Sequence, residues 1–195
     1  MKAPWMCVVA ALLLLLTGPA HGQGLIRAGL FVDRVPVSGF TDTSVTHVSV
    51  MAGISLTPCH ALELAVGRLE DTMTDPDWTP SQGEAPLQVG LEAFPVQASY
   101  VLTVPAPGFP VRPVLSIGGD WASVTDSYQS DTPRESVRSS LLGIHFGAGL
   151  RAAFRERVWL ALGGEYRFFQ ENDARPARSL ELDGWSLKGG IGIAF

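Results

Sequence analysis

Read back from its C-terminus, the chain alternates apolar and polar positions with a period of two. Trp185, Leu187, Gly189, Ile191, Ile193 and Phe195 share one face, and Ser186, Lys188, Gly190, Gly192 and Ala194 the other. That period belongs to a β-strand with two unlike faces. The segment before it repeats the pattern: Val158, Leu160, Leu162, Tyr166 and Phe168 oppose Ala161, Gly163, Glu165 and Arg167. Earlier still, Ile144, Phe146, Ala148, Leu150, Ala152 and Phe154 oppose Gly143, His145, Gly147, Gly149, Arg151 and Ala153. Val111, Leu115, Ile117 and Trp121 oppose Arg112, Ser116, Gly118 and Asp120.

A fifth segment runs from about Leu87 to Val104, with Val96, Ala98, Tyr100, Leu102 and Val104 set against Gln97, Ser99 and Thr103. Its parity shifts near Phe94 and Pro95, because Val89 and Leu91 are apolar at odd positions and the later apolar residues are even. A β-bulge is expected there. The first three strands are placed at Leu25 to Val35, His47 to Thr57 and Ala61 to Leu69. Their outward residues are Leu30, Val32, Val48, Val50, Ile54, Leu56, Leu62, Leu64 and Val66.

Eight strands emerge, and their connections alternate between short and long. Pro58 to His60, Pro105 to Pro110 and Arg155 to Arg157 are short. Pro36 to Thr46, Glu70 to Pro86, Ala122 to Arg138 and Gln170 to Ser179 are long and rich in Ser, Thr, Asp, Pro and Gly. Transmembrane barrels share this asymmetry, with short periplasmic turns, long outer loops and strands of about 9–11 residues. An open sheet edge in lipid would leave backbone N–H and C=O groups unsatisfied, so the sheet must close. The expected fold is all-β: an eight-stranded antiparallel up-and-down transmembrane β-barrel in the outer membrane, with both termini periplasmic.

The N-terminus adds a leader. Lys2 precedes an apolar run from Val8 to Leu16, and Ala20 and Gly22 stand at the minus-three and minus-one positions of a cut before Gln23. The run is too short for a membrane helix, which needs about 20 residues. Residues 1–22 are therefore read as a cleaved signal peptide and 23–195 as the barrel domain. Cys7 leaves with the leader, so Cys59 has no partner for an intramolecular disulfide. Cys7 precedes the apolar run, which disfavours a lipid anchor. Without Lys2, 13 Lys and Arg stand against 19 Asp and Glu, a net charge of −6. Nucleic acid is an improbable partner for such a chain.

The two faces carry different chemistry. Trp121, Tyr166, Phe168 and Trp185 toward the long loops, and Phe154 and Phe195 toward the short turns, fit two interfacial aromatic girdles. Arg68 breaks the apolar face of its strand and is expected to snorkel. By parity the inward face collects Arg27, Asp33, Glu63, Arg112, Asp120, Arg151, Glu165, Arg167 and Lys188, five basic and four acidic. Buried charges must pair, and an eight-stranded barrel is filled by its own side chains, so a plugged lumen is expected. A soluble ligand-binding barrel would show the opposite polarity, apolar within and polar without.

These features resemble the small outer membrane β-barrels of the OmpA and opacity-protein type, with a porin-like barrel domain. The resemblance covers residues 23–195 as architecture. Its more specific marks are Gly147-Ala148-Gly149-Leu150-Arg151 followed by Gly163-Gly164-Glu165-Tyr166-Arg167-Phe168, similar to the glycine-rich strand pair of that family. Lys188, Gly190, Ile193 and Phe195 are similar to the C-terminal assembly signal of such barrels. The resemblance implies outer membrane lipid around the barrel and insertion by the barrel assembly machinery. It leaves no residues for the peptidoglycan-binding domain that some members carry.

Candidate chemistry is thin. His145 is the best candidate base for a lipid-modifying barrel, yet Gly147 stands two residues on where a serine is sought, and His145 points to the lumen. A hydrogen-bonding lumen histidine is the better reading. His47 and His60 lie far apart, and Cys59 beside His60 is no recognised metal spacing. No phosphate-cradling Gly-rich loop is found. The second long loop holds Glu70, Asp71, Asp75, Asp77 and Glu84 without Lys or Arg, which is read as a solvated acidic loop, with loose divalent-cation binding as the alternative. No cofactor is expected. The leading functional expectation is a non-enzymatic surface barrel whose loops meet an extracellular ligand, in adhesion, envelope integrity or host and phage recognition. A narrow channel or lateral small-solute conduit, and then a lipid-modifying enzyme, are the alternatives.

Overall fold

The computed structural model describes residues 26–37, 43–74, 88–129, 135–154, 157–170 and 183–195. The expected leader at 1–22 lies outside them, as do the middles of the long loops and residues 155 and 156. The strands are β1 (Ile26–Val37), β2 (Thr43–Ser55), β3 (His60–Thr74), β4 (Gln88–Thr103), β5 (Val111–Gln129), β6 (Glu135–Ala153), β7 (Val158–Phe169) and β8 (Gly184–Ala194). Each pairs antiparallel with the next, and β8 closes on β1 from Arg27↔Ala194 to Arg34↔Leu187. The result is the closed eight-stranded up-and-down barrel that the alternation predicts.

Side chains alternate across the wall as the parity requires. Leu30, Leu64, Leu115, Ile117, Phe146, Leu162 and Ile191 point outward and are about half exposed. Asp33, Asp120, His145, Glu165 and Arg167 point inward and are buried. Trp185, Tyr166 and Phe168 stack edge to face on the outer wall near the long-loop end, with ring centroids 5.1 and 5.4 Å apart. At the other end Phe154 is joined by Phe109, the most exposed of the large apolar side chains at 71%. Phe109 sits in the connection between β4 and β5 and escaped the strand-based reading.

Two expectations are corrected. The first concerns the bulge at Phe94 and Pro95. Every β4 residue from Gln88 to Thr103 faces a single β5 residue, from Gln129 down to Val114, without a slip. Against β3 the pairs Val66↔Val96 and Leu69↔Ala93 keep one register on either side of the proline. What changes is polarity. Val89, Leu91 and Ala93 are apolar and inward, whereas Val96, Ala98, Tyr100 and Leu102 are apolar and outward. Leu91 and Ala93 join Leu69, Ala122, Val124 and Leu141 in a buried cluster, with Phe169 packed against it.

The second correction is to the long loops. Glu70 to Thr74 belong to β3, and all of Ala122 to Arg138 except 130–134 belongs to β5 and β6. The first long connection also gives up residues, to β1 and β2, whereas β8 begins only at Gly184, beyond the last one. These stretches look like loop because their outward residues are Ser, Thr, Arg and Glu. Val124 and Leu141 nevertheless supply an inward apolar stripe, which is the ordinary pattern of a strand facing water outside and a core inside. Consequently β3 to β6, at 15, 16, 19 and 19 residues, rise above β1, β2, β7 and β8, at 12, 13, 12 and 11. The barrel has one tall wall.

Arg68 stands on the outer wall where the polarity turns over. It pairs with Glu70 and Glu92, each at 2.9 Å, and lies 5.7 Å from the Phe94 ring centroid. Glu70 thus has a cation beside it, from just before the segment that holds no Lys or Arg of its own. Asp75, Asp77 and Glu84 lie outside the described residues.

Candidate functional site

The chemistry of this chain is concentrated in the lumen. In the middle of the barrel, Asp33 on β1 takes Arg167 Nη2 at 2.5 Å and His47 Nδ1 at 2.7 Å. Arg167 Nε donates to Glu165 Oε1 at 2.7 Å. Gln97 Nε2 donates to the same oxygen at 2.7 Å, and Lys188 Nζ donates to Gln97 Oε1 at 2.9 Å while lying 3.6 Å from Glu165. Strands β1, β2, β4, β7 and β8 are tied together through side chains. The bonds are charge-assisted and largely shielded from water, which makes the network rigid when complete and costly when one member is lost.

A second chain of bonds crosses β4, β5 and β6. His145 Nδ1 is 3.0 Å from Asp120 Oδ2, and its Nε2 is 2.9 Å from Ser99 Oγ. The ring reaches Ser99 across β5 because Gly118 lies between them: a Cβ there would meet His145 Cε1 at 2.5 Å. A hydroxyl, an imidazole and a carboxylate in line is the arrangement that activates a serine nucleophile. Along the histidine's own strand Gly147 stands where a serine is sought, whereas the register Ser99↔Gly118↔His145 brings one from two strands away. His145 is fully buried, and the cavity beside Ser99, bounded also by Gln97, Glu165 and Lys188, measures about 80 Å³.

Toward the short turns the composition changes. Glu63 holds Arg151 at 2.9 Å and lies 3.9 Å from Arg27. Arg112 faces the same mouth, is exposed, and has no ion pair among the described residues. Trp159, passed over in the sequence as an inward residue, is buried here with Arg151 4.7 Å above its ring. Its indole lies on Gly192, where a Cβ would come within 2.2 Å of the ring. Small residues on the inward face are thus the seats of large rings from neighbouring strands. Of the C-terminal signature residues, Lys188 is engaged in the lumen, Gly190 lies beneath Phe31, Ile193 faces outward, and Phe195 N donates to Ile26 O at 2.9 Å.

No family model and no curated protein matches the chain. Solved structures do. The N-terminal β-barrel domain of Pseudomonas aeruginosa OprF superposes with a TM-score of 0.59 at 17% identity, over 90% of this chain and 100% of that one. The fold is that of the small outer membrane β-barrels. Neisserial surface protein A shares it at a TM-score of 0.56 and 15% identity, covering 87% of this chain and 96% of its own. So does the attachment invasion locus protein Ail of Yersinia pestis, solved with the heparin analogue sucrose octasulfate, at 0.53 and 15%, covering 88% and 97%. An outer membrane barrel of this size has a wall and a packed interior, and the lumen described above is such an interior.

Proposed function

We propose that the chain is a surface barrel of the outer membrane in which the lumen is a structural plug and the tall wall of β3 to β6 carries recognition. The observation that supports this most directly is the inverted polarity above the belt. A wall with its own apolar core and a polar outside is built to stand in water beyond the membrane. The long connections leave from this end, so it is the cell-exterior end and the termini are periplasmic. The lipid-facing belt, the leader at 1–22 and the C-terminal signature at Lys188, Gly190, Ile193 and Phe195 fit delivery to the assembly machinery in the periplasm. Ail, a relative in fold, is by its name an attachment protein and was solved with a sulfated sugar analogue. An extracellular ligand at the tall wall is the corresponding expectation for this chain.

The experiment is a pair of measurements on cells displaying the barrel. Protease added outside should cut within residues 130–134, between β5 and β6, without releasing the termini, and planar bilayers loaded with the purified protein should show no steady conductance. Cleavage only from the periplasmic side would overturn the orientation, and a stable conductance would replace the plug with a channel.

A second reading rests on the Ser99–His145–Asp120 arrangement, which favours ester hydrolysis. It takes second place because the serine faces a cavity too small for an acyl substrate. A fluorophosphonate probe should leave Ser99 unlabelled in the folded barrel; labelling abolished by Ser99→Ala would promote the hydrolase.

A further inference from the structure

We propose that the short-turn mouth of the lumen is a binding site for an oxyanion of the phosphate class. Arg112 and Arg151 are register partners on β5 and β6, and Arg27 reaches the same space from β1. Like charges directly opposite on neighbouring strands repel. Glu63 is the one carboxylate that pairs with this group among the described residues. Asp33, Asp120 and Glu165 are engaged higher in the lumen with Arg167, His47, His145 and Lys188. Two of the three guanidinium groups therefore share one carboxylate and the third has none, and the mouth is left with positive charge that the middle of the lumen does not have.

The unsatisfied donors point the same way. Of the five buried side-chain nitrogens that lack a hydrogen-bond partner among the described residues, four are at this mouth: Arg27 Nη1, Arg151 Nε and Nη1, and Trp159 Nε1. All four are N–H donors. Buried donors without acceptors are rare and costly in folded proteins, and more so when charged. The residues that carry them line a cavity of about 200 Å³ together with Arg112 and Arg157. A cation or a carbonyl-rich cage has no place among donors alone. An oxyanion supplies both the missing acceptors and the missing negative charge, and guanidinium groups recognise it with paired N–H bonds. The donors arrive from β1, β6 and β7, so a tetrahedral ion answers them better than a planar carboxylate. Free phosphate and the phosphodiester of a lipid headgroup offer the same chemistry.

The test uses the full mature chain, isotope-labelled and folded in neutral detergent, with the indole N–H resonance of Trp159 assigned by Trp159→Phe. Sodium phosphate is titrated against sodium chloride at matched ionic strength. The expected result is a saturable shift with phosphate and none with chloride. Binding should weaken about tenfold in Arg112→Gln and vanish in Arg151→Gln. Arg112 is exposed at the rim, so its variant keeps the folded barrel and carries the test if Arg151→Gln fails to fold. Displacement of phosphate by a short-chain phosphatidylglycerol identifies a headgroup as the source; no displacement identifies the free ion. No shift up to about 50 mM phosphate, a shift that chloride matches, or unchanged affinity in Arg112→Gln overturns the site.

Discussion

The two ends of β4 are built on one backbone geometry and opposite chemistry. From Val96 to Thr103 the outward residues are apolar and the inward ones, buried Val101 apart, are polar, with Gln97 and Ser99 in the lumen bond network. From Gln88 to Ala93 the outward residues are Gln88, Gly90 and Glu92, and the inward ones Val89, Leu91 and Ala93 are buried. No residue is inserted between these halves. Parity reports which side of the wall a residue occupies, while polarity reports what lies on that side. A strand that leaves lipid for water keeps the first and reverses the second.

The comparison can be broken most sharply on the outer wall of β6. Ala148 and Ser136 share that face, twelve residues apart, and both are exposed. Ala148→Arg should cost about 2–4 kcal/mol, as a basic residue near the middle of the bilayer does, and Ser136→Arg should fall within about 0.5 kcal/mol of zero. Urea unfolding in phospholipid vesicles measures both, and equal costs would place the two residues in one medium.

The inward face of β4 gives the next largest contrast. Leu91→Ala opens a cavity in the buried cluster and should cost about 2–4 kcal/mol, whereas Ser99→Ala removes one hydrogen bond, about 1 kcal/mol. A reversed order would mean that the upper interior is wet. The smallest effect is expected at the boundary itself. Arg68 is half exposed in its pair with Glu92, so Arg68→Gln should change stability by no more than about 1 kcal/mol, and the change should shrink further in high salt.

Much of this was legible in the residues. Within the lipid belt one period of two fixes the strand and its two faces, because lipid outside makes the contrast extreme. Above the belt the same period runs through Val124, Leu141 and Leu91 with the apolar residues inward, and against an apolar-out pattern it reads as loop in β5 and β6 and as a bulge in β4. His47, Ser99 and Trp159 share their strands' inward parity, yet their partnerships depend on register between strands, which a single sequence does not state. Ser99 and His145 meet only because β5 offers Gly118 between them.

The most direct test of the account is a single-cysteine spin-label scan of β4 from Gln88 to Thr103 in bilayers, with Cys59 first replaced by serine, reading collision rates with oxygen and with a water-soluble nickel chelate. The expected result is one unbroken period of two across Phe94 and Pro95. Even positions from 96 to 102 should favour oxygen, even positions from 88 to 92 should favour the chelate, and odd positions should be protected throughout. A phase slip at Phe94 and Pro95 that brings positions 89 and 91 into contact with oxygen would contradict it, restoring the bulge and ending the case for a wall that stands in water.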